Sequence, residues 1–121
     1  LCGVVLLGAG LLAVSQADLT GTWVGSTPVP NVGEDKLTLV LKRDAGVYVG
    51  TLSDAAGMVV APAIRNVKFE EGVLAFDITV SNGTDTFPVH VSLKVDGDKM
   101  TGSWSTEHGD LGEVSLVRQP Q

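Results

Sequence analysis

Leu19-Thr20-Gly21-Thr22-Trp23 and Met100-Thr101-Gly102-Ser103-Trp104 are the two stretches that decide the fold, one near each end of the charged part of the chain. Between them, short runs of alternating apolar and polar residues recur roughly every ten to twelve positions, separated by turn residues. A basic residue, Arg118, lies on the last apolar run. Because short strands with short connections form antiparallel meanders, this pattern predicts a sheet that closes into a barrel.

The clearest strands alternate with a period of two. Leu37, Leu39 and Leu41 share one face of the run 36–42, and Asn82-Gly83 is a strong hairpin signal further along the chain. In 47–53 the inward face stays open, because both alternating sets contain apolar residues. No stretch has a helical period long enough to predict a helix. We therefore predict an all-β fold, an antiparallel up-and-down β-barrel of about eight strands.

Two predicted connections are longer than the others, and we expect them to be loops. Ser26–Asp35 contains two prolines and a glycine, and Asp54–Ala63 is long and apolar. Two interpretations remain open for Met58, Val59 and Val60. They either begin the next strand or form a mouth loop that covers one end of the barrel, since an apolar loop needs a cover.

The first 17 residues differ from the rest of the chain. They contain no charged residue, and small residues stand at Ser15 and Ala17, the two positions that a signal peptidase reads. We interpret 1–17 as the C-terminal part of a secretory signal peptide that is cleaved before Asp18. This predicts a single domain, 18–121, in a secreted or periplasmic location. A membrane anchor is the alternative, but a helix of this length spans only about 25 Å of a hydrocarbon core about 30 Å thick.

The net charge limits the classes of partner that we expect, and the cysteine content bears on how the domain is stabilised. The chain has 14 acidic and 8 basic residues, a net charge of −6, and all of these residues follow position 17. Nucleic acids and anionic membrane surfaces favour basic patches, so neither is an expected partner. The single cysteine, Cys2, lies in the segment that we expect to be removed. The mature domain must then be stable without a disulfide.

The sequence contains no recognisable catalytic or metal-binding constellation. His90 lies between two valines and is expected on the outer wall, with no partner visible at a fixed spacing. Glu107-His108-Gly109-Asp110 and Asp96-Gly97-Asp98 hold potential metal ligands, but both are typical of polar turns. No serine has an evident histidine and acid partner. We therefore predict no catalytic residue, no metal site and no cofactor.

Gly21-Thr22-Trp23 on the first strand, the meander and Arg118 on the last strand together resemble the lipocalin and calycin pattern. The resemblance implies that Trp23 packs at the closed floor of the barrel and that Arg118 lies across its ring, a cation–π contact. The chain is also similar to a small secreted bacterial domain, which occurs alone or in front of secreted α/β-hydrolase and peptidase domains. That similarity rests on Asp18–Gly25, Leu37–Leu41, Asp98–Trp104 and Leu116–Arg118. The Gly-x-Ser-x-Gly motif of such hydrolases is missing, so no hydrolase activity is implied.

Two functions remain open. The first is a non-catalytic binding protein that holds a small apolar ligand inside the barrel. The second is an accessory module with a packed barrel, which docks on a secreted hydrolase, peptidase or envelope component. Aromatic residues such as Tyr48 and Trp104 fit either a pocket or a filled core. For the first function, the expected ligand-contacting residues are Leu37, Leu39, Leu74, Phe76 and Val91.

Overall fold

The computed structural model describes residues 18–29, 32–109 and 111–120, and the predicted signal segment lies outside these ranges. The described residues contain eight strands. They are β1 (Gly21–Val29), β2 (Gly33–Asp44), β3 (Val47–Asp54), β4 (Val59–Glu70), β5 (Val73–Ser81), β6 (Thr86–Asp96), β7 (Lys99–Ser105) and β8 (Leu111–Arg118).

Each strand pairs antiparallel with the next, and β1 pairs with β8, so the sheet is a closed barrel. The predicted all-β class and the eight-stranded antiparallel barrel are confirmed. The turns at 45–46, 71–72 and 97–98 lie at one end, together with the starts of β1 and the end of β8; we call this end the floor. The ends of the β1–β2, β3–β4, β5–β6 and β7–β8 hairpins lie at the other end, which we call the mouth. Within the described residues there is no helix long and apolar enough to cross a membrane.

Both connections that were expected to be long are shorter in the structure. β1 continues to Val29 and β2 begins at Gly33, so most of Ser26–Asp35 is a hairpin rather than a loop. The prolines had suggested a break in the sheet. Pro28 is tolerated because β1 pairs with β8 only as far as Ser26, so the proline lies beyond the part of β1 that is paired on both sides.

The second expected loop is reduced to 55–58, because β4 begins at Val59. β4 is the most irregular strand: its pairing with β5 shifts register three times, and Asn66 adopts a positive φ of 55°. On its other side, Thr51 opposite Ala63 is the one register pair between β3 and β4. Extra residues in one strand bend it and weaken the ladder. The seam between β3 and β4 therefore has fewer ladder contacts than the regular pairings around it.

The inward faces of the strands form the hydrophobic core. In β2 the inward set includes Leu37, Leu39 and Leu41, as the alternation predicted. In β3 the open question is resolved: Tyr48 and Leu52 are buried, whereas Val47 and Val49 are exposed. Alternation could not decide this, because apolar residues occupy both faces of that strand.

Candidate functional site

The floor of the barrel is closed by Trp23. Its side chain is fully buried, and the guanidinium carbon of Arg118 lies 4.4 Å from its ring centroid. Arg118 also donates hydrogen bonds to the carbonyl oxygens of Thr20 and Asp18, both at 2.9 Å, and to Asp98 Oδ1 at 2.9 Å. The arginine therefore fastens the segment before β1 across the base of the barrel, in the position that the lipocalin resemblance implied.

Leu19 fills the space beneath the tryptophan. It is fully buried, its backbone N–H donates to the Tyr48 hydroxyl at 2.9 Å, and its carbonyl accepts from Trp23 Nε1 at 3.0 Å. Tyr48 in turn packs edge-on against Phe69, with ring centroids 6.0 Å apart. A buried indole N–H and phenol each need a hydrogen-bond partner, and both find one here. Side chains therefore fill and close the floor, and the Trp23 indole N–H and the Tyr48 hydroxyl each have a hydrogen-bond partner.

The mouth half of the barrel contains a cavity of about 350 Å³. This volume lies at the small end of the range of ligand pockets, roughly 300–1,000 Å³. Its wall is mainly apolar and comes from most of the strands of the barrel. The wall includes Leu37, Leu52, Phe76, Ile78, Val89 and Val91.

The residues predicted to contact a ligand divide between two layers. Leu37, Phe76 and Val91 line the cavity. Leu39 and Leu74 are fully buried but do not line it, because they belong to the packed layer between cavity and floor. Alternation identifies the inward face of a strand, but it does not show how far along the barrel the filled part extends.

The three predicted mouth-loop residues, Met58, Val59 and Val60, also lie in two different environments. Met58 ends the 55–58 connection and Val59 begins β4, and both line the cavity. Val60, the next residue of β4, lies outside the cavity lining and remains 49% exposed. This difference follows from the strand geometry, because successive side chains point to opposite faces.

Two carboxyl groups, Asp35 and Asp54, stand at the cavity mouth. Asp35 Oδ1 accepts a hydrogen bond from the Ala56 N–H at 2.8 Å. Asp54 accepts from the N–H groups of Met58 and Val59, both at 3.0 Å. The pair thus fastens the short connection between β3 and β4 to the barrel rim. Asp35 is only 3% exposed, although it is an ionisable residue.

The surroundings of these two carboxyl groups shift their pKa values in opposite directions. Burial, together with the hydrogen bond to Asp54 and the charge of that group, raises the pKa of Asp35 to about 6. Burial also acts on Asp54, but hydrogen bonds from Asp35 and from the backbone of Val59 and Met58 outweigh it and lower the pKa of Asp54. The pair therefore holds one proton in weak acid, on Asp35, and loses it as the pH rises through about 6.

Trp104 forms part of the cavity wall on the side opposite the connection 55–58. Its Nε1 donates to Thr27 Oγ1 at 2.9 Å, and Thr27 itself donates to the Glu113 carbonyl. The indole crosses Gly112 to reach β1: a Cβ at Gly112 would lie 2.3 Å from Trp104 Nε1. Glycine is therefore required at this position for the tryptophan to span β8. The result is a half-buried aromatic face on the cavity.

His90 has a partner that the sequence did not reveal. Its Nδ1 lies 2.8 Å from Asp77 Oδ1, across the β5–β6 hairpin, and Asn66 Nδ2 donates to Asp77 Oδ2 at 2.8 Å. The hydrogen bonds from Asn66 and then His90 lower the pKa of Asp77. The cluster lies on the outer wall, away from the cavity lining, and the His90 side chain is 58% exposed. We interpret it as a contact that stabilises the hairpin.

Metal ligation finds no support in the part of the chain that the structure describes. In residues 18–29, 32–109 and 111–120, no group of three His, Cys, Asp or Glu side chains converges on a common point.

Comparison with known proteins finds no protein-family model, no curated protein and no solved structure with a significant match to this chain.

Proposed function

We propose that this chain is a secreted or periplasmic, non-catalytic binding protein that holds a small apolar ligand in the mouth half of its barrel. The observation that carries the proposal is the cavity of about 350 Å³, apolar in its walls, above a floor that is closed. Transfer of apolar surface from water into such a cavity favours binding by about 25 cal/mol per Å² buried. The lipocalin and calycin resemblance supports the same reading, since it also pairs a sealed floor with a ligand site inside the barrel.

The arrangement gives each part of the cavity a distinct role. The apolar wall supplies affinity without direction, while the polar groups at the rim can orient a ligand. Trp104 supplies the largest flat surface, and its hydrogen bond to Thr27 holds the ring in place. A ring that is fixed before binding loses less conformational entropy when the ligand arrives.

The test is to fill the cavity and measure binding of an uncharged apolar probe, N-phenylnaphthylamine, by its fluorescence. Val89→Phe adds a ring to the cavity wall, while Val117→Phe makes the same change at a residue of β8 that is 45% exposed. We expect Val89→Phe to weaken binding by about tenfold or more, and Val117→Phe to leave it unchanged. Equal binding by both variants, or no binding by the parent protein, would contradict the proposal.

The proposed location has a separate test. Expression of the full precursor with export, followed by mass spectrometry of the recovered protein, should give an N-terminus at Asp18. Retention of residues 1–17 in the exported protein would contradict cleavage at Ala17 and favour the membrane-anchor alternative.

An accessory interaction module is the second candidate, because the outer face near the irregular strand is apolar. Val60, Ala61, Pro62 and Ala63 are all exposed on β4. A run of exposed apolar residues is a common feature of interaction sites. In cross-linking experiments on the secreted fraction, a double change of Val60 and Ala63 to Glu should abolish cross-links to a hydrolase, peptidase or envelope protein. A matched Thr101→Glu change on β7 should preserve them.

A further inference from the structure

The charged residues are distributed unevenly between the two ends of the barrel. By strand position, the mouth half of the described chain carries six acidic side chains and one lysine. The floor half carries six acidic and six basic side chains, so its charges balance. Asp77 and Arg65, opposite each other in the middle of β5 and β4, also balance. The acidic residues of the mouth half are Glu34, Asp35, Asp54, Asp85, Glu107 and Glu113, and the lysine is Lys36.

The net negative charge of the described residues therefore lies in the mouth half of the barrel, which also contains the cavity. A cleft lined by one sign of charge concentrates ligands of the opposite sign and speeds their association. The excess at the mouth coincides with the site that we propose for a ligand.

Two carboxyl groups line the cavity, but no basic side chain of the described residues does. Asp35 and Asp54 line it, and none of the described residues that line it is Lys, Arg or His. Asp35 continues the inward series Leu37, Leu39 and Leu41 one step towards the mouth, at a position where an apolar residue would complete the wall. Burying a carboxyl group in apolar surroundings is unfavourable unless a partner compensates it. The raised pKa of Asp35 reflects this cost in the unliganded protein.

We propose that the ligand is an amphiphile with a cationic head, such as an alkylamine, rather than a fatty acid or a neutral lipid. The apolar tail lies among Leu37, Ile78 and Val89, and the ammonium group lies at the rim between Asp35 and Asp54. There it meets two carboxylates, both of which line the cavity. A ligand with a carboxylate head would meet like charges and no base. This inference rests on the proposed function of the cavity.

The ligand's ammonium group also compensates the negative charge of Asp35 when that carboxyl group is ionised. Three kinds of group face this carboxyl: Asp54 from β3, the Ala55 and Ala56 amides from the connection 55–58, and Thr27 from β1. A bound cation favours loss of the proton shared with Asp54. Amine binding should therefore tighten as the pH rises through about 6, the pKa of Asp35, while binding of a neutral ligand stays constant.

The experiment compares three ligands that share one tail: octylamine, octan-1-ol and octanoate. Their affinities are measured by calorimetry at about pH 7.5, where the amine is cationic and the acid anionic. We expect octylamine to bind about tenfold more tightly than octan-1-ol, and octanoate to bind most weakly. Asp35→Asn keeps the size of the side chain and an oxygen for the Ala56 amide. It should reduce octylamine affinity by about tenfold and leave octan-1-ol unchanged within about twofold.

Asp44→Asn is the matched control, because it removes one negative charge at the floor and should not alter octylamine binding. Butylamine tests whether the tail is needed, and we expect it to bind far more weakly than octylamine. Equal affinities for the three octyl compounds, tightest binding of octanoate, or equal binding of butylamine and octylamine would overturn the inference. Failure of all the octyl compounds to bind would instead refute the proposed function. If Asp35→Asn does not fold, the pH dependence of octylamine binding to the parent protein decides the question.

Discussion

The two tryptophans of this barrel occupy inward positions at opposite ends, and their surroundings differ. Trp23 at the floor is fully buried, with Leu19 accepting from its indole N–H and Arg118 lying over its ring. Trp104 near the mouth is half-buried and donates across Gly112 to Thr27, with one part of its surface on the cavity. Each indole N–H has a partner, so the difference does not lie in hydrogen bonding. It lies in what surrounds the ring, which is packed side chains at the floor and open volume at the mouth.

This difference shows how a small barrel with no cysteine among its described residues combines a packed end with a cavity. At the floor the side chains are buried, and hydrogen bonds join the segment before β1 to Tyr48 and to Arg118 at the end of β8. The mouth is held mainly by hairpin connections and by the two carboxyl groups at its rim. If this division is correct, substitutions at the floor should affect stability most, and substitutions at the mouth should affect binding most.

The largest expected effect comes from truncating the two tryptophans. Trp23→Ala should reduce the free energy of unfolding by about 3–5 kcal/mol, because it removes a large buried ring and leaves a cavity at the floor. Trp104→Ala should cost about 1–2 kcal/mol, chiefly from the lost hydrogen bond and partial burial. Urea denaturation followed by far-ultraviolet circular dichroism measures both. Similar losses for the two variants would show that the ends are equally packed.

A second pair of variants adds volume instead of removing it. Leu39→Phe enlarges a side chain in the filled layer and should cost about 1–3 kcal/mol, because a packed core must distort to accept it. Val89→Phe enlarges one beside the cavity and should cost less than about 1 kcal/mol, since free space is already present. The same denaturation measurement compares them. A larger cost for Val89→Phe would mean that the mouth is packed as tightly as the floor.

The floor was more predictable from sequence than the mouth. The period-two leucines of β2 identify its inward face, and the Gly21-Thr22-Trp23 motif with Arg118 indicates how the closed end is built. The same alternation carries a signal for the site, because Asp35 is in phase with Leu37, Leu39 and Leu41. That signal was obscured by the prolines and glycine nearby, which suggested a loop in place of the β1–β2 hairpin.

Other features of the mouth depend on contacts that alternation does not encode. Trp104 and Thr27 are 77 residues apart and meet only because β8 pairs with both β7 and β1. Their hydrogen bond also requires that Gly112 leave room for the ring. Whether an interior is filled depends on the summed side-chain volumes of all eight strands. A pattern of inward and outward residues defines the wall of the barrel, but not the empty space within it.

The carboxyl pair at the mouth should make stability depend on pH in a particular direction. The pKa of Asp35 is raised from 3.8 to about 6 on folding, so the folded state holds more protons than the unfolded state between these values. The free energy of unfolding should therefore fall as the pH rises from about 4 to 6, and then level off. Asp54, with a lowered pKa, contributes stability above about pH 4 that is lost in stronger acid.

Asp35→Asn tests this dependence directly. The variant should be about 1–2 kcal/mol more stable than the parent protein at about pH 7.5, because it avoids a buried carboxylate beside Asp54. At about pH 4 the two proteins should have nearly equal stability, since Asp35 is then protonated. Urea denaturation at both pH values provides the comparison. A constant difference across this range would show that Asp35 is ionised, or solvated, at both.

The smallest effect is the contact between Trp23 and Arg118, which a double-mutant cycle isolates. With Trp23→Leu and Arg118→Met, the coupling free energy should be about 0.5–2 kcal/mol, because the cation faces a buried ring and methionine retains most of the apolar stem. A parallel cycle with Arg118→Met and Asp98→Asn should give about 0.2–1 kcal/mol, since the Asp98 side chain is 80% exposed and water screens the ion pair. Zero coupling in the first cycle would mean that Arg118 stabilises the floor through its hydrogen bonds to Thr20 and Asp18. The floor would then be closed by the backbone of the segment before β1, and the tryptophan would contribute only by filling space.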